Sequence, residues 1–228
     1  MHSISSAISD NVARVREQIA DAATACGRDP SEIRLIAVSK RKAADLIRAA
    51  FAAGVTDFGE NYLQEAIDKI ASLQDIDPTW HFIGAIQSNK TRLIAEHFHW
   101  VHTVASEKIA RRLSDQCPAD RTLDVCLQVN VHRDPRKAGV APEQVAALLA
   151  SALALPRLRL RGLMTILQQG TDPTTGYRRL VELWAALKAG AGPHWDSLSM
   201  GMSGDFQTAI AAGATHVRIG TAIFGARD

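Results

Sequence analysis

Three stretches of this 228-residue chain carry residue types at spacings that could do chemistry. The first ends at Lys40, in IRLIAVSK (33–40). Apolar residues run almost unbroken from Ile33 to Val38, as in a buried parallel strand whose C-terminal end opens on a pocket. A lysine there keeps its stem in the core and its amine at the rim. Partial desolvation would lower the amine's pKa and leave a nucleophile able to form an imine. The bland alternative is a surface lysine that ends a strand. The second stretch is SMGMSGD (199–205), where small residues lead into a helix whose first amides have no intrahelical partner. Ser203 there either caps the helix or gives its hydroxyl to a bound anion, with Gly204 beside it. The third is HVRIGTAIFG (216–225). Gly220 and Thr221 offer a close-approaching backbone and a hydroxyl, and Arg218 a fixed cation. Arg218 could instead be a core arginine paired with a carboxylate.

Those residues need elements to hold them. Ile4, Ile8, Val12, Val15 and Ile19 recur at helical spacing and predict an amphipathic helix over 3–25. Strand candidates follow at 33–39, 57–61, 80–87, 100–104, 123–131, 158–166, 197–202 and within 216–224. Between them lie helical patterns around 43–53, 63–70, 89–97, 107–116, 143–154, 177–188 and 205–212. Strict β/α alternation implies a parallel sheet with helical crossovers. Eight units in this length favour an α/β, single-domain (β/α)8 TIM barrel spanning 1–228 over an open, doubly wound sheet. The N-terminal helix would take the place in the outer ring left by a missing helix after strand eight. Functional residues then belong at the C-terminal strand ends. Lys40, Glu60, Asn61, the run Gln87–Lys90, Asn130, His132, Met164, Thr165, Ser203, Gly204, Gly220 and Thr221 all fall there. Strands one and eight adjoin in a closed barrel, so Lys40 can face the anion site of strands seven and eight. That geometry suits a small aromatic aldehyde carrying a phosphate.

Composition narrows the partners. Net charge is +2 and no segment concentrates Lys and Arg, so no nucleic acid is expected. The longest apolar runs fall short of a membrane span, and the N-terminus does not read as a signal peptide. Cys26, Cys117 and Cys126 fit no metal-ligand spacing and read as reduced thiols of a cytoplasmic protein. His81 reads as a satisfied core histidine, and Trp80, Trp100, Trp184 and Trp195 as packing. Lys137 is either a pocket-edge cation or a solvated loop lysine.

The motifs AVSK (37–40), FGENYLQEA (58–66), WHFIGAIQSNK (80–90), KAG (137–139), GLMTI (162–166), SMGMSGDFQTAI (199–210) and VRIGTAIFG (217–225) occur in one order along nearly the whole chain. In this the sequence resembles the pyridoxal-phosphate homeostasis proteins, single-domain relatives of the alanine racemase N-terminal domain with the barrel of PLP fold type III. The resemblance implies pyridoxal 5′-phosphate held on Lys40 as an internal aldimine. It implies that Ser203, Gly220 and Thr221 bind the phosphate, that Gly204 belongs to the cofactor site, that Asn61 lies beside the cofactor and that Met164 lines the pocket. Arg218 would approach either the ring nitrogen or the phosphate. Ala85 stands where many members have proline or histidine, and Arg136 where many have serine.

The function implied is intracellular homeostasis of the cofactor with little or no turnover. The expected state is a monomer making transient contacts with apoenzymes that use the cofactor. A small amino-acid racemase is the alternative, and an imine-forming aldolase acting on a sugar phosphate a third reading. A racemase needs a second acid/base residue. Neither Tyr62, after the GEN motif, nor Tyr177, in a helix, reads as a rim residue able to serve.

Overall fold

A computed structural model describes residues 4–168 and 170–225, the side chain of Ile4 excepted. The expected helix at 3–25 is observed as α1, Ile4–Ala25; residue 3 and the Ile4 side chain lie outside the described residues. Eight parallel strands follow: β1 (Arg34–Val38), β2 (Asp57–Glu60), β3 (Thr79–Phe82), β4 (Trp100–Val104), β5 (Leu123–Gln128), β6 (Leu158–Met164), β7 (Ser197–Ser199) and β8 (His216–Ile219). They pair in sequence order and close, β8 on β1, with Ile36 beside Arg218 and Ala37 beside Ile219. Closure excludes the open sheet.

The crossover helices are α2 (Ala44–Ala52), α3 (Leu63–Ser72), α4 (Thr91–His97), α5 (Glu107–Gln116), α6 (Val145–Leu153), α7 (Pro173–Leu187) and α8 (Phe206–Ala212). A one-turn helix, α9 (Thr221–Phe224), follows β8, where no helix was expected. Ile8, Val12, Val15 and Ile19 are buried, and α1 packs against α2, α8 and α9, filling the gap in the outer ring. Asn11 Nδ2 donates to Ile223 O at 2.9 Å and ties the first helix to the last.

Most strands are shorter than their apolar runs. Ile83, Val129, Val131, Met200, Ile223 and Phe224 are buried outside any strand. Burial under the rim, rather than ladder pairing, made those runs apolar. At α7 the start was missed: Asp172 caps the helix by accepting from the amides of Thr174 and Thr175, with Pro173 in the first turn.

Two layers result. Phe58, Trp80, Phe82, Val101, Val125, Leu127, Leu163, Leu198 and Val217 belong to the main core shared with the helices. The barrel interior is polar for this fold, where branched apolar residues usually dominate. It holds buried His81, His102, Ser199 and Arg218, with Met164, Trp100 and Cys126 as a small apolar cluster of their own.

Candidate functional site

Lys40 lies two residues past the end of β1, half-buried, in a turn rather than in the strand. The backbone on both sides of it is clamped. Buried Ser39 donates its amide to Gly59 O (3.0 Å) and its hydroxyl to Glu60 Oε1 (2.7 Å). Lys69, buried on α3, donates to Ser39 O (2.7 Å), Glu60 Oε1 (2.7 Å) and Glu65 Oε1 (2.5 Å). Arg41 takes a left-handed backbone (φ 59°), which is costly for a residue with a Cβ, and its amide bonds Glu65 Oε1. Burial pushes the Glu60 carboxyl up, against the pull of Lys69 and Ser39. Sequence reasoning missed Ser39, Glu65 and Lys69. The Glu65–Lys69 spacing of four was the available signal.

Asn61 follows β2, next to β1 in the barrel. Its Oδ1 is buried and, among the described residues, has no hydrogen-bond partner, as is true of Glu60 Oε2. A cavity of about 410 Å³ opens here between the β2 and β3 loops, with Asn61, Tyr62, Gln87 and Lys90 above Phe82 and Ile94. Tyr62 is 46 % exposed with the Arg41 guanidinium over its ring at 5.5 Å. It is therefore a rim residue, contrary to the expectation, because the chain turns outward after Asn61. Tyr177 is buried on α7, off the rim as expected, and donates to Asp205 Oδ2 at 2.8 Å; burial and that bond push its phenol up. Gln87 and Lys90 line the cavity, while Ser88–Lys90 form a 3-10 turn whose Ser88 O accepts from Thr91 Oγ1 and Arg112 Nε.

Across the barrel, Ser203 and Gly204 sit exposed in the turn before α8, and Gly220 and Thr221 begin α9 on the neighbouring strand. Ser203 does not cap α8. Asp205 stands at that position, and its Oδ1 takes the Met202 amide at 2.7 Å. Among the described residues the Ser203 and Thr221 hydroxyls, and the amides of Ser203, Gly204, Thr221 and Ala222, find no acceptor. Two hydroxyls and four amides thus remain for an anion. A Cβ at Gly220 would come within 3.1 Å of Val38 O, so glycine lets this loop lie against the end of the Lys40 strand.

Arg218 is 4 % exposed and, among the described residues, pairs with no carboxylate. Its Nη1 donates to Ser199 Oγ (2.7 Å) and its Nη2 to Thr165 O (2.9 Å), inside the barrel below the cradle. Burial lowers the guanidinium from its ordinary value. Met164 is fully buried in the cluster with Trp100 and Cys126. Asn130 and His132 are drawn into loop structure: Asn130 Nδ2 donates to Asp134 O, and His132 Nδ1 accepts the Gln168 amide. Lys137 is not a solvated lysine. Its Nζ donates to Leu167 O at 2.5 Å and draws the β5–α6 loop onto the β6–α7 loop. Lys40, Asn61, the two anion loops and Arg218 all gather at the C-terminal end of the barrel. No helix among the described residues is long and apolar enough to cross a membrane.

The model of the alanine racemase N-terminal domain family matches residues 5–228. The pyridoxal phosphate homeostasis protein of Pseudomonas aeruginosa is 55% identical over 227 residues, covering 98% of this chain and 97% of that protein. The homeostasis protein of Escherichia coli K12 is 50% identical over 228 residues, covering 97% of both. Among solved structures, PipY of Synechococcus elongatus with PLP bound superposes with a TM-score of 0.86 at 39% identity, covering 96% of this chain and 100% of that one.

Proposed function

Because this chain belongs to the alanine racemase N-terminal domain family, and within it to the pyridoxal phosphate homeostasis proteins, we propose that it takes up pyridoxal 5′-phosphate on Lys40 and serves to keep the free cofactor in balance. One observation carries the reading most. The Lys40 turn of β1 lies against a loop of β8 that, with its neighbour on β7, offers two hydroxyls and four amides with no acceptor among the described residues. The residues present fit the cofactor. Ser203, Gly204, Gly220 and Thr221 would hold its phosphate, and the orphaned Asn61 Oδ1 would face a polar group on its ring. Met164 would lie beneath it. Arg218, held by Ser199 and Thr165 inside the barrel, would present its charge to the ring.

Lys40 would hold the cofactor by its aldehyde, its amine being the nucleophile of the site. When bound, the cofactor supplies an electron-withdrawing ring. A charged arginine facing the ring nitrogen would oppose its protonation and weaken that pull, which supports a carrier with little turnover. A racemase would need an acid/base residue opposite Lys40, and Tyr62 is the rim tyrosine that could be asked to act. Loss of α-deuterium from alanine, abolished in Tyr62→Phe, would favour that reading. We further read the chain as a cytoplasmic monomer that meets apoenzymes transiently.

The test is the visible spectrum of the purified chain, followed by borohydride reduction and mass spectrometry. We expect a visible band that reduction removes, a single adduct on Lys40, and neither in Lys40→Ala. An adduct on another side chain, or none, would sink the assignment. Ser203→Ala and Thr221→Ala should each weaken uptake by about 1–3 kcal/mol, the value of a hydrogen bond to a charged group.

A further inference from the structure

A line of buried polar side chains crosses the barrel from its floor to Arg218. His81 Nε2 meets Asp57 Oδ1 at 2.9 Å, and His81 Nδ1 meets His102 Nε2 at 2.9 Å. His102 Nδ1 meets Ser199 Oγ at 2.8 Å, and Ser199 Oγ accepts from Arg218 Nη1 at 2.7 Å. The five residues come from β2, β3, β4, β7 and β8, and the four between Asp57 and Arg218, ends included on the Arg218 side, are almost wholly closed to solvent. Both ring nitrogens of both histidines are used.

The two ends fix the direction of every proton between them. A guanidinium only donates, so the Ser199 oxygen accepts from Arg218 and its own proton must go elsewhere. Among the described residues, the acceptor within reach of that hydroxyl is His102 Nδ1. His102 then carries its proton on Nε2 and donates to His81 Nδ1. His81 in turn carries its proton on Nε2 and donates to the Asp57 carboxylate. The reverse order would leave the Ser199 proton without an acceptor. With Asp57 ionised, as its ion pair with Arg34 at 3.3 Å favours, it would also require His81 to be doubly protonated, a further buried cation on a line that already ends at Arg218.

We propose that these side chains form one directed relay, with both histidines neutral and protonated on Nε2, through which Asp57 sets the orientation of the Arg218 guanidinium. Asp57, His81, His102 and Ser199 are positioning residues in this scheme. The electrostatics agree. Burial would raise the Asp57 carboxyl, but bonds from His81 and Thr56 and the charge of Arg34 hold it below its ordinary value. Burial holds His81 below its ordinary value and His102 well below, with neighbouring cations adding to the effect at His102. Arg218 thus keeps its charge and a fixed pose, bonded among the described residues to a hydroxyl and a carbonyl, while the matching carboxylate stands at the other end of the barrel. The relay is a property of the chain alone; its consequence for the cofactor rests on the functional reading above.

The first measurement is an imidazole ¹⁵N–¹H correlation on the chain free of cofactor, at pH 7. The relay requires a protonated Nε2 and a bare Nδ1 on both His81 and His102. A doubly protonated His81, or a His102 protonated on Nδ1, overturns it. The second compares His81→Gln with His81→Leu. Glutamine can donate to Asp57 and accept from His102, so it preserves direction; leucine cannot. We expect His102 to keep its Nε2 proton in His81→Gln, with pyridoxal phosphate affinity near that of the unmodified chain. In His81→Leu the dissociation constant should rise by about tenfold, the size of one hydrogen bond, and the visible band of the bound cofactor should move. Equal affinity and spectrum in the two variants would overturn the positioning role. Failure of the unmodified chain to take up pyridoxal phosphate would count against the functional reading instead, while the tautomers still decide the relay.

Discussion

Lys69 is the side chain on which the Lys40 turn depends most directly. It is 7 % exposed and joins Ser39 O, Glu60 and Glu65, so removing its charge would strand a fully buried carboxylate. Lys69→Met should therefore cost about 3–5 kcal/mol in urea unfolding at pH 7. Adding Glu60→Gln should recover part of that loss, because the stranded charge goes with it; an unrecovered double variant would refute the coupling. His216 illustrates the opposite case, a group kept neutral by the fold. It is buried beside Trp100, its Nε2 has no partner among the described residues, and burial with nearby His81 and Arg34 lowers its pKa to about 3. The unfolded chain binds a proton at this residue below its ordinary value of 6.5, while the folded chain does not until about 3. Stability therefore falls as pH drops through that window, by about 2 kcal/mol at pH 5 from this residue. His216→Phe should flatten the stability–pH slope between pH 6 and 4 by about one proton, read from urea midpoints. An unchanged slope would show that His216 titrates normally.

The site is held together at the scale of elements by loops that touch across strand ends. At Gly84, after β3, an added Cβ would stand 2.1 Å from the Asn61 backbone oxygen, and Thr103 Oγ1 already holds Gly84 O at 2.7 Å. Neither loop has room to give. Gly84→Ala should destabilise by about 1–3 kcal/mol or more and displace Asn61, so cofactor uptake should weaken as well. Normal stability and uptake would mean the two loops can part. Much of this was legible beforehand: the AVSK, GEN, SGD and IGT stretches mark the four strand ends that matter. What was not legible is what those ends rest on. Ser39 and Lys69 look like ordinary polar residues until β1, β2 and α3 are packed. Tyr62 could not be placed at the rim because one residue of turn decides which way it faces.

As a whole molecule the barrel is sealed by α1, whose Ile8 is 4 % exposed and belongs to the same core as the outer faces of the strands. A core shared by ring and barrel implies one cooperative transition. Ile8→Ala should lower stability by about 2–5 kcal/mol and still give coincident unfolding curves by tryptophan fluorescence and far-ultraviolet circular dichroism. Two separated transitions would show that α1 docks as an independent unit.

By itself the sequence determined the number and order of strands, the barrel class, and the strand ends that face one another. Each of these rests on a local pattern: an apolar run of strand length, repeated eight times, or a glycine beside a hydroxyl, at Ser203–Gly204 and Gly220–Thr221. Only the tertiary structure decided that Arg218 bonds a hydroxyl and a carbonyl instead of a carboxylate. It alone joined His102 to Ser199, 97 residues away, and turned the barrel interior into a directed polar line. The reason is geometric: such partners meet only when the closed sheet has fixed the register of every strand between them, and a shift of one residue would turn each of these side chains to the other face.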